Sequence, residues 1–187
     1  MKSSLVLLII LLAISCQSNS EADISTESFD YKQQHWERTS VSRSFKSISY
    51  KATEVPLAYY LLKNASGENI DSLLRARKEE RVIEFDFSQL DRKDLLDKRF
   101  THRDYKESVS YMAFTIKKDF SIITINNDTI NCSGVLFERN YKLAPFKRLL
   151  LYFDGVPVDS GIKLLYDDQL FGNGLMKFNL SMSKIET

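Results

Sequence analysis

Val82-Ile83-Glu84-Phe85-Asp86-Phe87-Ser88 carries a two-residue period. Ile83, Phe85 and Phe87 alternate with Val82, Glu84, Asp86 and Ser88. Successive side chains on a strand point to opposite faces, so the bulky apolar groups fall on one side and mostly polar ones on the other. That is the pattern of a half-buried strand in an antiparallel sheet.

The C-terminal half repeats the signal. Residues 108–116 and 120–125 are rich in β-formers and are divided by Lys117-Lys118-Asp119. Asn126-Asn127-Asp128 then turns the chain into a strand expected over 129–138. Residues 139–147 make a longer link through Pro145, and 149–153 form a continuous apolar run expected of a central strand buried on both faces. Asp154-Gly155 marks a turn, and strands are expected over 162–166 and 176–182.

Upstream, residues 41–50 are polar and β-tolerant, with Phe45, Ile48 and Tyr50 as anchors. Residues 55–62 fit a buried strand or a short helix equally. A helix is expected from Ser66 or Asn69 to about Glu80. Ile70, Leu73 and Leu74 share a face there, and Asp71 with Arg75 forms a favourable four-residue pair. Residues 91–100 read as a helical turn or a short helix. Short strands separated by turns define a mainly β fold, with α+β as the variant. The expected architecture is an antiparallel β-sandwich or partly open barrel with one or two short helices.

The chain has 187 residues, 43% hydrophobic and 12% aromatic, with nine tyrosines and twelve phenylalanines beside one tryptophan. That suffices for one sizeable core. The formal charge is +1. Loss of a leader carrying Lys2 makes it neutral, so no whole-protein field would steer the chain to nucleic acid, and that partner is not expected. No cofactor is expected.

The first residues define an address. Lys2 precedes an unbroken apolar run, residues 5–14, followed by Ser15 and Cys16. Ten helical residues span about 15 Å, roughly half of a bilayer's hydrocarbon core, so the run is a signal peptide rather than a spanning helix. Leu12-Ala13-Ile14-Ser15-Cys16 resembles a bacterial lipobox. The resemblance implies a lipoprotein of the Bacteroidota kind, with the Cys16 thiol carrying the lipid and the membrane as a partner through it. Ala13 and Ser15 also satisfy ordinary signal peptidase, which leaves a secreted or periplasmic protein as the alternative. Residues 17–30 carry Glu21, Asp23, Glu27 and Asp30, no basic residue and only Ile24 and Phe29 as large apolar groups, which makes a polar tether. The expected organisation is a signal over 1–15, a lipidated tether over 16–30 and a single domain over 31–187. The expected location is the cell envelope, at the outer membrane.

Candidate chemistry is sparse. Glu84 and Asp86 share one strand face about 7 Å apart, a spacing a glycosidase pair could use, though alternation alone predicts acids on a solvated face. His35 and His102 are the only histidines and have no ligand-spaced neighbours, so no metal site is expected. The chain lacks a nucleophile elbow, a P-loop and a dinucleotide fingerprint. With Cys16 acylated, Cys132 is alone and reads as a small core residue. Residues 139–148 carry Arg139, Lys142, Lys147 and Arg148 with Tyr141 and Phe146 interleaved, a segment suited to anionic lipid, a polyanionic glycan or an acidic partner. Asp128-Thr129-Ile130 and Asp71-Ser72-Leu73 resemble the short O-glycosylation motif of exported Bacteroidota proteins, Thr129 being the more accessible.

These features lead to a non-catalytic binding or structural subunit of an envelope assembly. A lipocalin-like carrier of a small apolar ligand is the alternative, and a hydrolase built from dispersed residues ranks behind it.

Overall fold

The computed structural model describes residues 40–64, 69–89, 91, 93–139, 144–156 and 161–180. The leader, Cys16, the tether, His35, Ser66, Lys142 and Met182 lie outside the described residues. The described chain is an antiparallel sandwich, as its alternation requires.

Strands β1 (Ser40–Phe45) and β2 (Ile48–Val55) form a hairpin, followed by helices α1 (Leu57–Asn64) and α2 (Ile70–Ala76). The quoted stretch lies in β3 (Arg81–Gln89). Helices α3 (Lys98–Thr101) and α4 (Tyr105–Ser110) lead through a π-helical turn, Tyr111–Thr115, and a 3-10 turn, Ile116–Asp119, into β4 (Phe120–Ile123). Then come β5 (Thr129–Asn131), β6 (Gly134–Glu138), β7 (Phe146–Phe153), β8 (Ile162–Asp168) and β9 (Gly174–Leu180). One sheet has the order β1-β2-β3-β7-β6 and the other β5-β4-β8-β9, and every pairing is antiparallel. The sheets do not close into a barrel. Among the described residues no helix is long and apolar enough to cross a membrane.

Rings fill the space between the sheets. Phe85 lies 5.0 Å from Phe87, 5.0 Å from Phe120, 5.3 Å from Tyr166 and 5.3 Å from Phe178, ring centre to ring centre, and Phe120 stacks on Tyr166 at 4.4 Å. Edge-to-face and stacked rings at these distances add attraction beyond the apolar area they bury. Ile83, Phe85 and Phe87 face this core, as their alternation predicts. The opposite face of β3 is more covered than expected, since Val82 and Glu84 are also buried. At one end α1 lies over that face, where Tyr60 and Tyr152 share a hydroxyl hydrogen bond of 2.5 Å.

Two strand expectations fail for identifiable reasons. Residues 108–116 are helical. Asp104 and Glu107 form a reciprocal capping box that starts α4, and Ser108, Met112 and Ile116 are buried at four-residue spacing while Phe114 faces out. The single strand expected over 129–138 is two strands in different sheets. The Cys132 amide donates to the Phe120 carbonyl of one sheet, and the Ser133 amide to the Tyr152 carbonyl of the other. The chain thus changes sheets within two residues. Residues 55–62 divide between the end of β2 and α1, and Asn69 caps α2 by accepting from the Ser72 amide. Strand β7 begins three residues earlier than the apolar run, at Phe146.

Candidate functional site

The early start of β7 decides where the basic segment goes. Alternation from Phe146 sends Lys147 inward and Arg148 outward. Lys147 is buried beneath the sheet and its ammonium sits 3.3 Å from Asp94. Arg148 stands on the outer face opposite Asp86. Arg139 follows β6 and is exposed, and Lys142 lies outside the described residues. The structure therefore distributes the described members of that segment over different surfaces.

Arg148 organises the outer face of the five-stranded sheet. Its Nε donates to Asp86 Oδ1 at 2.7 Å and its Nη2 to Oδ2 at 2.9 Å, a two-point fork, while Nη1 lies 3.5 Å from Glu84 Oε2. The hydrogen-bonded Asp86 carboxylate holds the guanidinium pKa above its ordinary value against the opposing effect of burial. The guanidinium also covers the Phe146 ring at 4.9 Å. The acid pair that sequence spacing offered to a glycosidase is thus engaged with an arginine, with both Asp86 oxygens occupied.

Strand register spreads this arrangement across the sheet. Ser42, Lys51, Asp86, Arg148 and Glu138 form one cross-strand row, and Ser44, Ser49, Ser88 and Phe146 form the next. In the row nearer α1, the Ser40 and Thr53 hydroxyls bond at 2.9 Å. An open groove runs over the middle rows, from Ser42 and Lys51 past Asp86 and Ser88 to Pro145 and Phe146. Sequence reading found Glu84, Asp86 and Arg148 but not the groove. Ser42, Ser49 and Ser88 carry no motif, and only register brings them side by side.

A second polar cluster lies inside the sandwich. Asp168 Oδ2 accepts from the Tyr50 hydroxyl at 2.7 Å, and Oδ1 accepts from the Tyr166 hydroxyl and the Phe171 amide at 2.9 Å each. The Asn173 amide donates to the Tyr50 oxygen at 2.6 Å. Burial first, then the bond to Asp168, drives the Tyr50 pKa far above that of a free phenol. These groups hold β2, β8 and the turn before β9 together.

Beside this cluster, Asp119 Oδ2 accepts from the Tyr111 hydroxyl at 2.7 Å. The Arg103 guanidinium lies 4.3 Å from the Tyr111 ring and donates to the Gln169 and Leu170 carbonyls. Burial, reinforced by the like charges of Asp167 and Asp168, raises the Asp119 pKa from 3.8 to about 6, while the Tyr111 bond and Arg103 oppose the shift. An acid whose folded pKa is raised holds more protons in the folded state between those values. Its contribution to stability is full below about pH 4 and is lost as pH rises through about 6. Asp119→Asn, which keeps an acceptor for Tyr111, should therefore flatten this part of the pH profile. Relative to wild type it should gain about 1 kcal/mol at neutral pH. Thermal melts of both proteins across that range test this, and parallel curves would refute it.

The remaining residues are placed simply. The Cys132 thiol is buried, donates to the Gly134 carbonyl at 3.0 Å and is pushed up to about 11, chiefly by burial. It is a core group with little thiolate character at neutral pH. His102 is exposed at the left-handed cap of α3. Thr129 is exposed at the start of β5, and Ser72 is exposed on α2. Among the described residues no group of three or more His, Cys, Asp or Glu is placed to hold a metal ion.

Fold and site define an antiparallel β-sandwich with a charge-laced, hydroxyl-rich outer sheet face. No protein-family model and no curated protein matches the chain. Among solved structures, the chain is similar to a novel protein of unknown function from Burkholderia pseudomallei. The match has 7% identity and a TM-score of 0.37, covering 84% of this chain and 83% of that one. A likeness that loose carries no argument about either fold or function.

Proposed function

We propose that this chain is a lipid-anchored protein of the bacterial cell envelope, at the outer membrane, whose sandwich is a non-catalytic binding module. The outer face of the five-stranded sheet carries the binding reading. It combines an open groove with a dense set of hydroxyls and charges, and its Asp86 carboxylate is engaged by Arg148 rather than presented as a free acid or base. Recognition surfaces need many oriented polar groups, whereas general acid–base chemistry needs a carboxyl group available to the substrate. The partner is another envelope component, protein or glycan, brought within reach by the tether behind Cys16.

Two measurements on the native protein test the reading. Palmitate labelling should mark the wild type and vanish in Cys16→Ala; equal labelling of both would remove the anchor. Purification from membranes in mild detergent should recover a bound envelope component that is lost when Lys51→Glu alters the groove. Recovery of the same material by wild type and variant would remove the sheet face from the function.

A further inference from the structure

We infer that the outer-face groove is a binding site for neutral saccharide chains. This inference rests on the binding-module reading above and narrows its ligand class. The cations Lys51 and Arg148 meet the anions Glu84 and Asp86 on adjoining strands, and Arg148 is forked onto Asp86 and close to Glu84. With Glu138 at the end of the same row, the described face holds three anions against two cations, so it offers no net attraction to a polyanion. A polyanionic ligand does not suit such a face.

Ser42, Ser49 and Ser88 line the groove with hydroxyls that both donate and accept. Lys51, which is exposed, supplies a further donor. At the far end, the exposed Pro145 and the half-buried Phe146, one side of whose ring carries the Arg148 guanidinium, provide a limited apolar surface. A sugar ring presents the same combination, with hydroxyls around its rim and a flat face of C–H groups. The groove crosses four strands spaced about 4.8 Å apart, so it offers a repeated polar lattice to an extended chain rather than one enclosed pocket.

The test is affinity electrophoresis of the full mature chain, in native gels containing dextran, laminarin, glucomannan or galactomannan, with alginate as the polyanion. At least one neutral polysaccharide should retard the protein, and the retardation should persist in about 0.5 M salt. Phe146→Ala should weaken the binding about tenfold. Ser42→Tyr, which adds bulk on an exposed edge strand away from the core, should abolish it with unchanged thermal stability. Retardation by alginate alone, lost on adding salt, would overturn the inference in favour of a polyanion site. Absence of retardation in all four neutral gels would overturn it outright, and so would retardation unaffected by Ser42→Tyr. A chain that ignores every polysaccharide yet recovers an envelope protein from membranes would preserve the binding module and reject its saccharide ligand.

Discussion

Phe85→Ala should destabilise the domain by about 4 kcal/mol, the range expected when a large ring is removed from a core that cannot collapse around the gap. Phe85 is fully buried and touches rings from both sheets: Phe87 beside it, Tyr50 on the neighbouring strand, and Phe120, Tyr166 and Phe178 across the sandwich. Those neighbours are held by other bonds. Tyr50 and Tyr166 are tied through their hydroxyls to Asp168, so neither can move freely into the void. Phe85→Leu, which refills much of the volume, should cost substantially less. Urea denaturation of the three proteins measures this through the midpoint at constant slope. A loss below about 1.5 kcal/mol for the alanine variant would mean that Phe85 is not the centre of the core.

Asp168→Ala is the second large effect, about 3 to 4 kcal/mol, and its cause differs. No ring is lost, but three buried donors lose their acceptor together: the hydroxyls of Tyr50 and Tyr166 and the amide of Phe171. Each buried donor left unsatisfied costs about 1 to 3 kcal/mol, and partial rearrangement keeps the sum below three independent losses. Tyr50 would still accept from Asn173. Asp168→Asn should fall between wild type and alanine, because its amide keeps one acceptor oxygen but turns a donor toward a donor. Tyr50→Phe combined with Asp168→Ala should cost less than the two changes added, since they remove the same bond. Strict additivity in that cycle would show that the bond contributes nothing.

Much of the fold was legible because strand patterns are local. The alternation at 82–88 and at 176–180 marks a core face without reference to any other segment, and the apolar run at 149–153 correctly marks a strand inside its sheet. Legibility failed where one local pattern served two structures. Residues 108–116 hold enough β-formers to read as a strand, yet their burial repeats every fourth residue and a capping box starts the helix. At Cys132-Ser133 nothing interrupts the β-forming character, and only the hydrogen bonds to Phe120 and Tyr152 show the change of sheet.

The candidate site was partly legible. Glu84 and Asp86 are legible as acids on one strand face and Arg148 as part of a basic connecting segment, but whether they meet depends on register between β3 and β7, which are far apart in sequence. Lys147 and Arg148 look equivalent in a cationic run. A strand that starts at Phe146 places one beneath the sheet against Asp94 and the other above it against Asp86.

Alternation along consecutive residues is enough to mark an antiparallel β protein with Phe85 in its core. Cys16 and the polar stretch behind it are the residues on which the proposed membrane anchor rests. Tertiary structure alone decided which strands share a sheet, which side of it each cation occupies, and that Tyr50 meets Asp168. The physical reason is range. Side-chain alternation is a property of consecutive residues, whereas pairing partners, register and buried hydrogen bonds are selected by the free energy of packing distant segments together.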